Sequence, residues 1–446
     1  MFWKRGMASF GWMSDSPQRQ LLAGYAIYSL LGWLLLLLPW CQQGETSCID
    51  HLFTAVSGLS TTGLATVDVS TEYTFWGQLI ILLLIQMGGL GYMTFASYVM
   101  LRITKHLSNN EARLFHTQFA FPNRLEEEAM LSRIVNFALC FEMAGCVLLF
   151  PYFLLNDVES PLWSAVFHSI SAFCTAGFSI YTDNLMQFQD DWYVNLVIAA
   201  LSYAGAMGFI MMTDVAGLFR KRRRGRISFT TKVIAVITTV MTLWSTLHLY
   251  FMEPSLQSMG VADRLLAAWF QSMSAITTVG FNTVHTDSLA TVTMVVLSFC
   301  MYVGASPSGT GGGLKSTTLS ALLAYTKNRL GLRKDISLAG NRVPLYRVDA
   351  ALTSTVFYTL ILSLGIYLMV VFEENDETFM PIVFEAASAL ATAGLSSGIL
   401  SHICIGSKLV LIALMFIGRV GVITVGNVML IRAHAQGAKH HSDLVV

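Results

Sequence analysis

Four segments of this chain repeat one short pattern, and no other feature of the sequence constrains the fold as strongly. Each segment has a glycine that is preceded by threonine at two residues, serine at six and phenylalanine at ten, and followed by a large apolar residue. The glycines are Gly63, Gly177, Gly280 and Gly394. Because a pattern that recurs at nearly constant spacing marks repeated structural units, the chain is predicted to contain four copies of one unit.

Eight long apolar stretches indicate a membrane protein. Charged residues make up 12% of the chain, whereas soluble proteins carry about 25%. The stretches are Leu21–Trp40, Phe75–Leu101, Ile134–Leu155, Tyr193–Phe219, Val233–Met252, Thr291–Tyr325, Ala350–Phe372 and Leu409–Ile431. Each can provide the roughly 20 residues that a helix needs to cross a bilayer. A signal peptide is the alternative for the first stretch, since Lys4 and Arg5 precede it, but no small-residue cleavage site follows.

Lysine and arginine are dense in every second connection between these stretches. They occur at the N-terminus and in 102–133, 220–232 and 327–347, whereas 42–74, 151–193 and 372–406 have none. Positive residues collect on the cytoplasmic side, so both termini are predicted to be cytoplasmic. The run Arg222–Arg224 is then a topology signal, with a docking site as the alternative. The formal net charge is +0, and no nucleic-acid partner is predicted.

The external connections each contain an apolar stretch that is too short to span. These stretches are Asp50–Leu59, Leu162–Phe173, Ala262–Ile276 and Pro381–Leu390. A short apolar stretch followed by a glycine-containing polar segment is typical of a re-entrant half-helix. The predicted fold class is therefore an all-α polytopic membrane protein in which four helix, half-helix, filter loop and helix repeats surround a pseudo-fourfold pore with eight spanning helices.

The repeat boundaries follow from this unit. Repeats 1 to 4 are predicted at 20–103, 128–220, 230–326 and 347–432, and the second helix of repeat 3 is broken. The remaining segments, 1–19, 104–127, 221–229, 327–346 and 433–446, are predicted to be cytoplasmic, the basic linker 221–229 among them.

The glycine-containing segments are predicted to form a cation-selective filter. Unwound backbone exposes carbonyl oxygens, and rings of carbonyls can replace the hydration shell of a cation. The candidate filter residues are Ser60, Thr61, Thr62, Gly63, Cys174, Thr175, Ala176, Gly177, Thr277, Thr278, Val279, Gly280, Ala391, Thr392, Ala393 and Gly394. The alternative is that each glycine only caps a helix. Acidic residues in the external segments are expected to concentrate cations at the mouth: Asp68, Asp183, Glu373, Glu374 and Asp376.

These motifs resemble the Trk/Ktr/HKT superfamily of potassium transporters. The resemblance is carried by Ser57–Asp68, Gln86–Phe95, Ala172–Ser179, Thr278–Thr283 and Phe416–Thr424, and it runs from the first helix to the last. The eight-helix length is similar to that of the Ktr-type membrane subunit. The chain departs from that subfamily at Cys174-Thr175, where two asparagines are usual, and at Val422, where a proline is usual.

The resemblance also implies properties of the working protein. It implies a bacterial inner-membrane pore for K⁺, with Na⁺ as a candidate activator and no organic cofactor in this chain. It further implies a homodimer in contact with membrane lipid and regulated by a cytosolic nucleotide-binding ring. The sodium dependence of the chain stays open.

The sixth apolar stretch contains a glycine-rich interruption. Five glycines and a proline between Gly304 and Ser316 are incompatible with a regular helix. The segment is predicted to be a gating loop below the filter, and a passive kink is the alternative. The candidate gating residues are Gly304, Ser306, Ser308, Gly309, Thr310, Gly311, Gly312, Gly313 and Lys315, together with Arg419. A phosphate-binding loop is disfavoured because Leu314 separates Gly313 from Lys315.

Arg419 lies in the middle of the last apolar stretch. A central arginine costs roughly 2.5–3.5 kcal/mol on insertion scales, so it requires a partner or an aqueous wall. It is predicted to place a positive charge near the pore or on the gating loop, and an ion pair with Glu142 or Asp214 is the alternative. The other buried polar residues of the apolar stretches are predicted to be structural hydrogen-bonding groups: Glu142, His168, Asp214 and Glu385.

The function predicted from these features is inward K⁺ uptake down the electrochemical gradient. The first alternative is a secondary cation transporter, Na⁺-coupled or of the alternating-access type, with broken helices around a central site. An intramembrane enzyme is disfavoured, because no paired catalytic carboxylates or histidine-rich cluster occur at a usable spacing. Cys41 and Cys48 share one external loop, where a disulfide and two free thiols are both open.

Overall fold

The computed structural model describes residues 17–91, 124–219, 227–333, 335–373 and 379–430. Its α-helices are α1 (Pro17–Leu36), α2 (Cys48–Ser60), α3 (Val69–Glu72), α4 (Phe75–Leu90), α5 (Arg124–Leu155), α6 (Pro161–Phe173), α7 (Trp192–Phe219), α8 (Phe229–Met252), α9 (Val261–Thr277), α10 (Thr291–Val303), α11 (Ser316–Leu330), α12 (Leu345–Phe372), α13 (Phe379–Ala391), α14 (Ile405–Val420) and α15 (Val422–Leu430). A small antiparallel hairpin, β1 (Ser337–Leu338) and β2 (Asn341–Arg342), joins α11 to α12. The chain is predominantly helical, as predicted.

Several helices are long and apolar enough to cross a membrane. Among the described residues, α1, α5, α7, α8 and α12 meet this condition singly, and the bent pair α14–α15 makes a sixth candidate. Their outward faces carry exposed apolar side chains such as Leu34 on α1 and Val147 on α5. The apolar helices α4 and α10 are shorter. The count of eight spans stays a prediction, because part of the second predicted stretch, residues 92–101, lies outside the described residues.

Short helices lie where half-helices were predicted. These are α2, α6, α9 and α13, and the phenylalanines of the repeated pattern, one on each, are fully buried. Each short helix also packs on the long or broken helix that ends the preceding repeat: α6 on α4, α9 on α7, α13 on α10 and α2 on α14. The last of these contacts joins the end of the chain to its beginning, so the packing order is cyclic.

The second helix of each predicted repeat ends or breaks at a glycine within the described residues. Gly91 ends α4, Gly208 breaks α7, Gly304 ends α10 and Gly421 separates α14 from α15, all with φ between 65° and 95°. Only the third break was predicted from the sequence; the breaks within the stretches Tyr193–Phe219 and Leu409–Ile431 were not. A positive φ is accessible to glycine at little cost, which lets the chain leave the helix there. The pair α14–α15 bends by 97°.

Candidate functional site

The four short helices end in the same backbone conformation. The threonine of each pattern is left-handed, with φ of 51°, 51°, 55° and 47° at Thr61, Thr175, Thr278 and Thr392. The N–H of the following residue then donates to the carbonyl of the repeated serine, as from Ala176 to Ser171 at 2.8 Å. The same bond forms from Thr62 to Ser57, from Val279 to Ser274 and from Ala393 to Ser388. The repeated serine and threonine therefore fix one turn geometry four times.

The four turns contact one another in a closed ring. A Cβ built on Gly63 would lie 2.3 Å from the Ala176 oxygen, and one on Gly177 would lie 2.3 Å from the Val279 oxygen. The ring continues from Gly280 to the Ala393 oxygen at 2.6 Å and from Gly394 to the Thr62 oxygen at 2.1 Å. No side chain other than hydrogen fits at these four positions, so the repeated glycines are required by the approach of neighbouring carbonyls.

The carbonyl oxygens in this ring have no hydrogen-bond partner within the part of the chain that the structure describes. Those of Thr62, Ala176, Val279 and Ala393 accept no hydrogen bond from any described residue. Backbone carbonyls in a protein interior are otherwise almost always paired with protein, water or an ion. The candidate filter residues are all buried apart from Gly63, which is partly exposed. The ring is thus a set of buried carbonyl oxygens to which water can donate hydrogen bonds or which can coordinate a cation.

Cavities lie on both sides of the ring. The outer cavity, of about 360 Å³, is lined by Gly63, Gly177 and Gly394 together with Asp68 and Asp183. The inner cavity, of about 270 Å³, is lined by the ends of two short helices and by the predicted gating loop. Two of the expected mouth acids, Asp68 and Asp183, therefore face the outer cavity.

Glu373, another of the expected mouth acids, does not line the outer cavity. Glu373 follows α12 and accepts the Cys404 N–H at 2.9 Å. Burial raises its pKa, but the hydrogen bonds from Cys404 and Ser407 outweigh burial and hold the pKa of Glu373 below its ordinary value. Glu374 and Asp376 lie outside the described residues.

The predicted gating loop lies directly beneath the ring. The Thr310 hydroxyl donates to the Phe173 carbonyl at 3.2 Å and accepts from the Thr175 hydroxyl at 3.0 Å. The Gly312 N–H donates to the Thr278 hydroxyl at 2.8 Å. A Cβ on Gly312 would lie 2.0 Å from the Ala391 oxygen. The loop therefore touches the ends of three of the four short helices.

The loop is also anchored to the broken helix α7 and to its own lysine. Ser306 donates its hydroxyl to the Met207 oxygen at 2.6 Å, next to the break at Gly208. The Lys315 ammonium donates to the carbonyls of Gly311 at 2.6 Å and Gly312 at 3.3 Å. The same irregular segment begins at Gly304 and contains the remaining predicted gating residues, Ser308, Gly309 and Gly313.

Arg419 connects the loop to the first repeat. Its guanidinium donates one hydrogen bond to the Thr310 carbonyl and another to the Gly88 carbonyl on α4. Among the described residues it forms no ion pair with Glu142 or Asp214. The Asp214 carboxylate instead accepts from Thr231 at 2.6 Å, and the Glu142 carboxylate accepts from Gln86 at 3.0 Å. The ion-pair alternative for Arg419 is therefore wrong in this conformation.

Two buried polar residues hold the backbone that follows the ring. His168 is hydrogen-bonded to the Ser164 carbonyl at 2.8 Å and to the Ser179 hydroxyl at 2.9 Å. Glu385 accepts from the Ser396 hydroxyl and from the Ser397 N–H, both at 2.7 Å. Both sets of hydrogen bonds hold the backbone that follows one of the four turns, which we call T-x-G turns after their threonine and glycine.

An ion pair that was not predicted from the sequence lies beside the ring. Lys408 lies 2.7 Å from Asp50, and Thr66, three residues after Gly63, donates to the same carboxylate at 2.6 Å. One signal was available, because Lys408 lies next to the external segment that otherwise lacks positive residues. Cys41 and Cys48 are free thiols, so the disulfide alternative is not formed.

Comparison with known proteins agrees with the resemblance noted in the sequence. Residues 31–440 match the family model described as TrkH, cation transport protein. The Ktr system potassium uptake protein B of Bacillus subtilis is 32% identical over 421 residues, which cover 93% of each chain. The potassium/sodium uptake protein NtpJ of Enterococcus hirae is 31% identical over 440 residues, which cover 95% of each chain.

The fold also matches a solved structure. The crystal structure of the potassium transporter TrkH from Vibrio parahaemolyticus aligns with a TM-score of 0.74 at 20% identity, over 93% of this chain and 85% of that one. The resemblance predicted from the sequence motifs is confirmed: the chain belongs to the TrkH family of cation transport proteins.

Proposed function

We propose that this protein is a potassium-uptake transporter that passes K⁺ inward through the ring of four T-x-G turns. The observation that carries the proposal is the closed ring of buried carbonyls at Thr62, Ala176, Val279 and Ala393, which have no hydrogen-bond donor among the described residues. Carbonyl dipoles arranged around an axis replace the water lost by a cation. Relatives named as potassium uptake proteins support K⁺ as the ion.

The filter would comprise four residues from each repeat, Ser60–Gly63, Cys174–Gly177, Thr277–Gly280 and Ala391–Gly394. The short helices α2, α6, α9 and α13 end at the ring, so their C-terminal partial negative charges add to the attraction for a cation. The carboxylates of Asp68 and Asp183 line the outer cavity, and their negative charge attracts K⁺ before the ion loses its hydration shell. An anion would meet the opposite field at each step.

The loop Gly304–Lys315 would be the gate. In the present arrangement its strand around Thr310 and Gly312 fills the space under the ring and bonds to three short helices. Arg419 and Lys315 add positive charge at the same level, which opposes the passage of a cation. An open state would require the loop to withdraw from the ring and Arg419 to release the Thr310 carbonyl.

The proposal extends to the membrane topology, the oligomeric state and a cytosolic partner. Eight spans and two cytoplasmic termini fit the alternating basic connections. A homodimer in a bacterial inner membrane is proposed from the resemblance to the Trk/Ktr/HKT superfamily. A cytosolic nucleotide-binding ring would bias the loop through α11, whose last turn carries Lys327 and Arg329. The names of two relatives as parts of a Ktr system support such a partner.

A secondary cation transporter is the competing function. The relative named potassium/sodium uptake protein gives it a specific reason, since coupling to Na⁺ would need a second ion. Against it stands the fourfold ring, because secondary transporters place their sites between two structural repeats. Sodium could still act on a channel-like pore as an activator without being carried.

The experiment that separates the two functions is flux into proteoliposomes that contain the purified chain. A channel-like pore passes K⁺ and Rb⁺ down the gradient with Na⁺ absent from both sides, and its reversal potential follows the K⁺ gradient alone. A coupled transporter shows K⁺ flux only with Na⁺ present, and the reversal potential then shifts with both gradients. That second result, or the absence of any K⁺ flux, would overturn the proposal. Protein-free liposomes provide the background.

A further inference from the structure

A buried carboxyl group stands behind the second turn of the ring. Glu142 on α5 is 5% exposed, and its two carboxylate oxygens accept from the Gln86 amide at 3.0 and 3.1 Å. The thiol of Cys174 donates to one of these oxygens at 3.7 Å and lies 3.9 Å from the Gln86 amide oxygen. The three side chains come from α4, α5 and the turn after α6, so they join repeat 1 to repeat 2.

Little space is left for these groups to rearrange. A Cβ on Gly89 would lie 2.4 Å from the Cys174 sulfur, so the thiol is pressed against the backbone of α4. The Glu142 main-chain carbonyl accepts from the Ser169 hydroxyl at 2.5 Å, which ties α5 to α6 next to the carboxyl group. An ionisable side chain in a membrane helix is costly and is retained where its contacts are needed.

The contacts of Glu142 continue to the gating loop. Cys174 precedes Thr175, whose hydroxyl oxygen lies 2.7 Å from the Cys174 carbonyl oxygen and 3.0 Å from the Thr310 hydroxyl, to which it donates. The carbonyl of Thr310 and that of Gly88 are the two acceptors of Arg419. Gly88 lies two residues after Gln86, the partner of Glu142. The contacts that start at Glu142 on α5 thus pass through the turn, the loop and Arg419 to Gly88 on α4, the helix that also carries Gln86.

We propose that Glu142 is a positioning residue for ion selection: it fixes the second quarter of the carbonyl ring through Cys174, and the Gly88 acceptor of Arg419 through Gln86. This inference rests on the proposed function of the ring. Loss of the carboxyl group leaves the Cys174 thiol and the Gln86 amide without their shared acceptor. The turn at Thr175 and the backbone of α4 at Gly88 then gain freedom, which widens the ring and loosens the loop.

Three variants test this role: Glu142→Leu removes the acceptor, Glu142→Gln keeps the shape with a neutral amide, and Cys174→Ala removes the thiol. The matched control is Asp214→Asn, since Asp214 is a carboxylate on α7 whose donors are Ser228 and Thr231, away from the ring. Each protein is purified as a folded fraction by size exclusion, and the K⁺ over Na⁺ permeability ratio and the basal flux are measured in proteoliposomes.

We expect Glu142→Leu to lower the K⁺ over Na⁺ ratio by roughly threefold to tenfold, which lies in the lower part of the range that couplings between contacting side chains produce. Basal flux should rise as well. Glu142→Gln should show a smaller change in the same direction, because an amide keeps one acceptor oxygen. Asp214→Asn should leave both quantities at the wild-type value. In the Cys174→Ala background, Glu142→Gln should lower the ratio less than it does alone, since the shared contact is already lost.

Two results would overturn the inference. One is a wild-type ratio and basal flux in Glu142→Gln and Cys174→Ala, with changes only in yield or melting temperature. The other is full additivity of the two substitutions, which would separate Glu142 from the turn. If Glu142→Leu does not fold, the remaining variants still decide the question. A wild-type protein that passes no K⁺ would overturn the proposed function itself, whereas a selective wild type with unchanged variants would overturn the role of Glu142 alone.

Discussion

The ammonium group of Lys408 lies 2.7 Å from the carboxylate of Asp50, although 358 residues separate the two in sequence. The side chains are only 13% and 11% exposed, and Ser47 and Thr66 also donate to the carboxylate. Asp50 belongs to α2 and Lys408 to α14. The pair therefore closes the cycle of short helices at the one place where the chain does not continue from one repeat into the next.

Replacing Lys408 by methionine is expected to lower the free energy of unfolding by about 3–5 kcal/mol, because Asp50 is left buried without a cation. Methionine keeps most of the apolar stem, so packing is changed little. The Thr66 hydroxyl donates to the same Asp50 carboxylate, and Thr66 lies three residues after Gly63. Because a shift of Asp50 would therefore disturb the first turn of the ring, the K⁺ over Na⁺ flux ratio should fall as well. Thermal and chemical unfolding in detergent measures the first effect, and flux into proteoliposomes measures the second.

The control for this substitution is Arg342→Gln. Arg342 pairs with Asp335 at 2.5 Å, but the side chains are 78% and 70% exposed. An exposed pair contributes about 0–1 kcal/mol, so this variant should be nearly as stable as the wild type. Equal losses in the two variants would show that the pair of Asp50 and Lys408 has no special structural role.

Much of the ring could be predicted from the sequence because its parts are local. The turn at Thr175, Ala176 and Gly177 follows a short apolar stretch directly, and the serine that accepts its N–H lies on that same stretch. Repetition of such a local motif predicts repetition of its geometry. The loop around Thr310 was equally visible, since its glycines and proline exclude a helix.

The contacts between repeats could not be predicted in this way. Glu142 with Gln86, Arg419 with Gly88 and Lys408 with Asp50 each join residues that are far apart in sequence. Which residue meets which depends on the packing angles of several helices, and no periodicity encodes those. The breaks at Gly208 and Gly421 were missed for another reason. A single glycine inside an apolar stretch is compatible with a helix, and only the surrounding packing decides that the chain leaves it.

Gly280→Ser is expected to admit Na⁺ and weaken K⁺ discrimination. The added Cβ would lie 2.6 Å from the Ala393 oxygen and 2.8 Å from the Gly394 Cα, at a φ of 87° that side chains rarely adopt. One quarter of the carbonyl ring must therefore shift. Uptake of K⁺, Rb⁺ and Na⁺ is compared in cells that lack other potassium uptake.

Gly340→Ser is the matched control for that variant. Gly340 has a φ of 80°, but a Cβ there would meet no atom within 4 Å. It carries the same backbone strain in the small hairpin, without the crowding. Unchanged ion preference in a normally expressed Gly280→Ser protein would remove the third turn from the filter.

Arg419→Ala is expected to raise K⁺ flux or change its voltage dependence. The substitution removes a positive charge at the level of the loop and both hydrogen bonds that hold Thr310 and Gly88. Arg419→Lys should raise flux less, because an ammonium keeps the charge but lacks the fork that spans two acceptors. Flux per folded molecule is the quantity to measure, with the exposed Arg347→Ala as control. An Arg419→Ala protein that is only less stable, with wild-type flux per molecule, would make Arg419 a structural residue.

Deleting Ser308–Gly312 is expected to raise basal flux and weaken control by a cytosolic partner. The deletion removes the Thr310 and Gly312 contacts to three short helices and the Thr310 acceptor of Arg419. What remains between α10 and α11 is too short to lie under the ring. Flux into proteoliposomes is recorded with and without the partner, and the effect of partner on flux is compared with that in the wild type.

A single substitution tests the same contact without shortening the chain. Thr310→Val keeps the volume of the side chain and removes its hydroxyl, which bonds to Phe173 and Thr175. Its control is Thr318→Val on α11, a threonine that forms no hydrogen bond with the ring turns among the described residues. If the loop is a gate, Thr310→Val raises basal flux, as the deletion does, whereas Thr318→Val leaves it unchanged. If the folded deletion protein keeps wild-type flux and regulation, the loop is only a kink that lets α10 and α11 change direction.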